Sequence, residues 1–73
     1  MAVIDVKADI TGNVWKIVTK VGDAVAEDAP MMILESMKME IPVPAPEDGT
    51  VVEILTTEGA AVAEGTVLAR LEV

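Results

Sequence analysis

The feature that most constrains this chain is an internal repeat. Displacing the sequence by 37 positions lays residues 8–35 on residues 45–72 without a gap, and 12 of the 28 pairs are identical. They include Gly12/Gly49, Val14/Val51, Ile17/Ile54, Gly22/Gly59, the run Ala24–Glu27 on Ala61–Glu64, and Leu34/Leu71. A chain of 73 residues has no room for two independent cores. The two copies must therefore share one core, and residues 36–44 read as the join between them.

Each copy reads as strands. Gly12–Val18 and Gly49–Leu55 are rich in β-branched and apolar residues and each opens on a glycine. Met31–Leu34 and Val67–Leu71 read as closing strands, and Val3–Ala8 as a further strand with partial alternation. Val21-Gly22-Asp23 and Glu58-Gly59-Ala60 read as turns, because glycine tolerates positive φ. No window carries a capped helical stripe. Ala24–Ala29 has room for one helical turn before Pro30 stops it. The expectation is an all-β domain, two similar sheets packed face to face about a pseudo-twofold axis.

Pro42, Pro44 and Pro46 sit two apart. In an extended chain that spacing removes donors from one edge and leaves Val43 and Ala45 free to pair, as suits an edge strand. A polyproline-like connector is the alternative.

Composition excludes several chemistries. There is no cysteine, hence no disulfide and no thiolate-bound metal, and no histidine, the commonest general base and metal ligand. No catalytic residue and no metal site are expected. The formal charge of −8 argues against nucleic acid and anionic membranes as partners. No apolar run reaches the about 20 residues of a spanning helix, and Met1–Asp5 shows no basic-then-apolar secretory pattern. A cytoplasmic monomer fits these features, either free-standing or as a piece of a longer enzyme.

Outside the aligned copies stands Leu34-Glu-Ser-Met-Lys-Met-Glu-Ile41. With strands on either side, Ser36–Met39 becomes a hairpin connection and Lys38 its exposed tip. Met37 and Met39 flank it and offer adaptable apolar contact; core positions on a strand are the competing reading for both. The chain holds no base that would deprotonate a lysine, and Glu35 and Glu40 favour the ammonium form, so any acylation needs another enzyme.

Met37-Lys38-Met39 preceded by Glu35 resembles the attachment motif of the biotinyl domain family, usually Glu-Ala-Met-Lys-Met. Gly22-Asp23 with Val25, Ala45-Pro46 with Gly49 and Val51, and Gly59, Val62, Gly65 and Leu68 match further family positions, so the likeness covers nearly the whole chain. The run 35–42 looks the same as in small free-standing members of the family. Ser36 stands for the usual alanine, Asp28 for the usual glycine, which implies a different turn after Glu27, and Ala60 for aspartate. No insertion provides the protruding thumb of some bacterial carriers.

The resemblance implies a flattened β-barrel, a barrel-sandwich hybrid of two four-stranded sheets, with residues 1–73 as one biotinyl carrier domain. It implies biotin held covalently on Lys38, with Met37 and Met39 as recognition contacts. It implies three partners: a biotin protein ligase, a biotin carboxylase and a carboxyltransferase, between which the carrier moves a carboxyl group without being an enzyme itself. Two alternatives share the fold: a lipoyl carrier of an oxoacid dehydrogenase-type system, whose lysine usually follows aspartate, and an unmodified structural module.

Overall fold

A computed structural model describes residues 2–73; Met1, the first residue of the N-terminal run above, lies outside them. Eight strands follow one another: β1 Val3–Lys7, β2 Gly12–Ile17, β3 Ala24–Val25, β4 Pro30–Ser36, β5 Met39–Pro44, β6 Gly49–Ile54, β7 Ala61–Val62 and β8 Val67–Glu72. They form two four-stranded antiparallel sheets, ordered β1-β8-β6-β3 and β5-β4-β2-β7. We call these sheet 1 and sheet 2. No helix occurs among the described residues. The flattened barrel inferred from the sequence is thus the fold.

The 37-residue displacement converts one sheet into the other. It carries β2 and β3 onto β6 and β7, residue for residue. It also carries β1 onto β5, beyond the aligned copies, where Ile4/Ile41 and Val6/Val43 are further identities. The join is therefore much shorter than residues 36–44: only Met37 and Lys38 lie between strands, and Met39–Pro44 belongs to the second copy. Each sheet takes its two central strands from one copy and its two edges from the other. Neither copy can complete a sheet alone, so the whole chain must fold together.

The core follows the same symmetry. Val6 and Val43, Ala8 and Ala45, Val14 and Val51, Met31 and Leu68, Met32 and Ala69, and Leu34 and Leu71 are buried as equivalent pairs. Both copies also bulge at the same point: β2 slips against β4 between Val14 and Lys16, and β6 against β8 between Val51 and Glu53. The extra residue leaves the ladder and adds twist.

Two local expectations change. Ala24–Ala29 forms no helical turn; Ala24-Val25 pairs with Thr50 and Gly49 as a two-residue edge strand. Asp28 does not alter its turn. It takes φ 71° where the equivalent Gly65 takes 88°. Its N–H donates to the Ala45 carbonyl at 2.8 Å, just as Gly65 N–H donates to Ala8 at 2.8 Å. Aspartate is among the side chains that tolerate this region best. Pro42 and Pro44 do lie on an edge strand, since β5 is the outer strand of sheet 2; Pro46 follows it in the bend, and Ala45 N–H still reaches the Ala29 carbonyl at 2.9 Å.

Candidate functional site

The hairpin of β4 and β5 is held in register by Glu35↔Glu40 and Ser36↔Met39, leaving a two-residue turn of Met37 and Lys38. Both have positive φ, 52° and 66°. Two such residues in a two-residue hairpin are the signature of a type I′ turn, whose twist matches that of the strands. Asn-Gly is the easy sequence for it. Here two side chains with no local hydrogen-bonding rationale are forced into the left-handed region, at a cost of order 1 kcal/mol each. Among the described residues the only other non-glycine with positive φ is Asp28. Packed strands on both sides impose the turn.

The side chains project into solvent. Met37 is 93% exposed and Met39 63%, and Lys38 is exposed with no hydrogen bond or ion pair among the described residues. Met31 and Met32 of the same hairpin are wholly buried. The sequence offered core and tip readings for the flanking methionines; the structure puts both outside. Leu34 and Val43 fix the hairpin base to the core, and the half-buried Ile41 pairs with Leu34 across the strands.

A glycine seats that base from beneath. A Cβ on Gly12 would meet the Glu35 carbonyl oxygen at 2.5 Å and the Ser36 Cβ at 3.3 Å. Its equivalent, Gly49, lies equally close to the Glu72 carbonyl, at 2.6 Å, beside Val73. Gly12 starts a strand at the hairpin end and Gly49 starts one at the end where Ala2 and Val73 exchange two backbone hydrogen bonds. β1 runs from that second end toward the first, so the two lie at opposite extremes of a body 37 Å long and 17 Å across. Both glycines open strands; neither has positive φ, and close backbone approach is what requires them.

The site brings together one accessible primary amine, two exposed thioethers and two carboxylates, Glu35 and Glu40, paired across the strands. Among the described residues no group of histidine, cysteine, aspartate or glutamate is placed to hold a metal. The structure defines the class: a barrel-sandwich domain with an exposed lysine at a hairpin tip.

Comparison with known proteins places it further. Residues 3–71 match the biotin/lipoyl family model described as biotin-requiring enzyme. The chain belongs to that family. It is 46% identical over 66 residues to the biotin/lipoyl attachment protein of Bacillus subtilis, covering 90% of each. It is 43% identical over 58 residues to the biotin carboxyl carrier protein of Streptococcus mutans, covering 80% of this chain and 45% of that one. A lipoyl-type relative matches as well, the dihydrolipoyllysine-residue acetyltransferase component of the Haemophilus influenzae pyruvate dehydrogenase complex. It is 38% identical over 76 residues, covering 99% of this chain and 13% of that one. Among solved structures, urea carboxylase of Kluyveromyces lactis superposes with a TM-score of 0.92 at 33% identity, over 99% of this chain and 6% of that one. The chain thus spans nearly all of one small relative and a small fraction of the large enzymes. Among the described residues no helix is long and apolar enough to cross a membrane.

Proposed function

We propose that residues 1–73 form one biotin carboxyl carrier unit with biotin in amide linkage to the Lys38 ε-amine. The observation that carries this is the tip itself: Lys38 at the second position of a strained two-residue turn, unpaired, between exposed Met37 and Met39. The chain is a carrier rather than an enzyme, in keeping with relatives named attachment and carrier proteins.

The chemistry divides between this chain and its partners. A biotin protein ligase acts on the amine: the ε-nitrogen attacks the carbonyl of biotinyl-adenylate, the C–N bond forms, adenylate leaves and the amine proton goes to the ligase. The tip supplies reach and a fixed backbone. Bound biotin supplies a ureido nitrogen that accepts a carboxyl group and gives it up again. A biotin carboxylase and a carboxyltransferase would each receive the tip in turn, with Met37 and Met39 as mouldable apolar contacts for both. Tethering raises the local concentration of the carried group at each active site, and no catalytic group is required of the carrier.

The test is direct. Co-expression with a biotin protein ligase, followed by peptide mapping, should find biotin on Lys38 alone and none in Lys38→Ala. Loss of one ammonium takes the formal charge from −8 to −9, which isoelectric focusing resolves. The lipoyl reading, which the Haemophilus relative keeps in view, is examined on the same sample. A lipoate ligase should leave Lys38 bare, because methionine stands where such lysines usually have aspartate. Lipoylation in place of biotinylation would reverse the assignment.

A further inference from the structure

The two sheets differ most on their outer faces. In sheet 1, Asp5, Arg70 and Glu53 lie in register across β1, β8 and β6. Arg70 Nε donates to Asp5 Oδ1 at 3.0 Å and a terminal guanidinium nitrogen donates to Glu53 Oε1 at 2.7 Å. The row is closed by its own charges. The equivalent row of sheet 2 is Pro42, Ile33 and Lys16, in register across β5, β4 and β2. It contains no anion. Beside it stands Trp15, the residue at the β2 bulge, 43% exposed, with Lys16 Nζ 5.7 Å from the ring centroid. Trp15 is the only aromatic residue of the chain. Large exposed aromatics of this kind are over-represented among residues that dominate protein interfaces.

This apolar face continues into the attachment hairpin. Ile33 and Pro42 belong to the two strands whose turn holds Lys38. Two residues nearer the turn, on the same face, stand Glu35 and Glu40. The surface is therefore a largely apolar centre with Lys16 on its β2 side and an acidic border on its Lys38 side.

We propose that the outer face of sheet 2, centred on Trp15, Ile33 and Pro42, docks the enzyme that acylates Lys38, through an apolar patch bordered by basic side chains. This rests on the reading of Lys38 as the attachment residue. Reach selects that enzyme over those that use the carried group later. Before modification, the reacting atom lies at the end of one lysine side chain. The ligase active site must then close upon the turn, and its body overlies the adjoining strands. After modification the arm extends the reacting atom well beyond the turn, and later enzymes can act with less of the domain in contact.

The experiment is steady-state biotinylation of the unmodified protein by a bacterial biotin protein ligase with biotin and ATP. The variants are Trp15→Ala and, as the equivalent position on sheet 1, Val52→Ala. Trp15→Ala should raise the KM for the carrier about tenfold with little change in kcat, whereas Val52→Ala should leave both as in the parent. The parent KM should also rise with ionic strength, since an acidic border meets a basic one. An unchanged KM in Trp15→Ala, or an equal rise in Val52→Ala, overturns the docking surface while leaving Lys38 as the attachment residue. Failure of the parent protein to take up biotin overturns both. Should Trp15→Ala fold poorly, 5-fluorotryptophan in the parent chain gives a single fluorine resonance. Ligase binding should shift or broaden it; a resonance unmoved at saturating ligase overturns the proposal.

Discussion

The hairpin end and the terminal end of this domain are built on the same scaffold and used differently. At both, a glycine lies against a carbonyl oxygen: Gly12 on Glu35, Gly49 on Glu72. At both, an antiparallel strand pair runs outward, β4 with β5 and β8 with β1. At the terminal end the pair stops with Ala2 beside Val73. At the other the chain must close over, and the shortest closure puts Met37 and Lys38 at positive φ. The exposed Lys38 turn stands where the symmetry of the repeat is broken. Symmetric positions share core and register; the Lys38 turn has no counterpart to share strain with.

Predictions ordered by size test that contrast. The largest effect belongs to the shared core. Met31→Ala and its equivalent Leu68→Ala should each lose about 2–5 kcal/mol by urea denaturation, because both side chains are fully buried. Met37→Ala, at the exposed tip, should stay within about 0.5 kcal/mol. It should still accept biotin yet pass its carboxyl group more slowly. A large loss of stability in Met37→Ala with normal transfer would assign that methionine to folding. Next come Gly12→Ala and Gly49→Ala, each costing about 1–3 kcal/mol from the backbone clash. Only Gly12→Ala should slow biotin attachment beyond its loss of folded protein, since only Gly12 underlies the hairpin. Equal slowing in both would erase the distinction between the ends.

Smaller still is the exchange of turn residues. Asp28→Gly should raise stability by about 0.5 kcal/mol and Gly65→Asp lower it by a similar amount, left-handed strain being partly offset by glycine's unfolded-state entropy. The smallest change is expected from Arg70→Ile, which puts the residue type of the equivalent Ile33 between Asp5 and Glu53. Exposed ion pairs hold little net stability, so the urea midpoint should hardly move. Hydrogen bonds donated to Glu53 and then to Asp5 raise the Arg70 pKa above its ordinary value. Its contribution is lost only as pH climbs through that raised value, so none of it should vary across the neutral range.

Much of this was legible because the repeat announces itself. Gly12–Ile17 and Gly49–Ile54 are readable from matched positions, and Ser36–Met39 from the strands that flank it. The relation of β1 to β5 was hidden because Asp5 and Lys7 face Pro42 and Pro44 in the alignment, leaving only two identities across those strands. Prolines on one edge and charges on the other are separate answers to the problem of an open strand. β3 and β7 were illegible for another reason. Two residues carry no periodicity, and pairing with β6 and β2 creates them. At the site, the exposure of Lys38 followed from its place in the chain. Its positive φ did not, since neither methionine nor lysine favours it and the paired strands impose it. Trp15 passed as one more strand residue; its being the sole aromatic, on a face that meets water, was the available signal.

The pairing of Ala2 with Val73 has a mechanical meaning. Whatever chain continues from either terminus departs from the same spot, at the pole opposite Lys38. A rigid body hung from one point behaves as a lever, and the 37 Å length of the domain becomes the radius through which its tip sweeps. On the proposed carrier role, a flexible chain continuing from that spot would let the body itself pivot, and an arm on Lys38 would add only the final span.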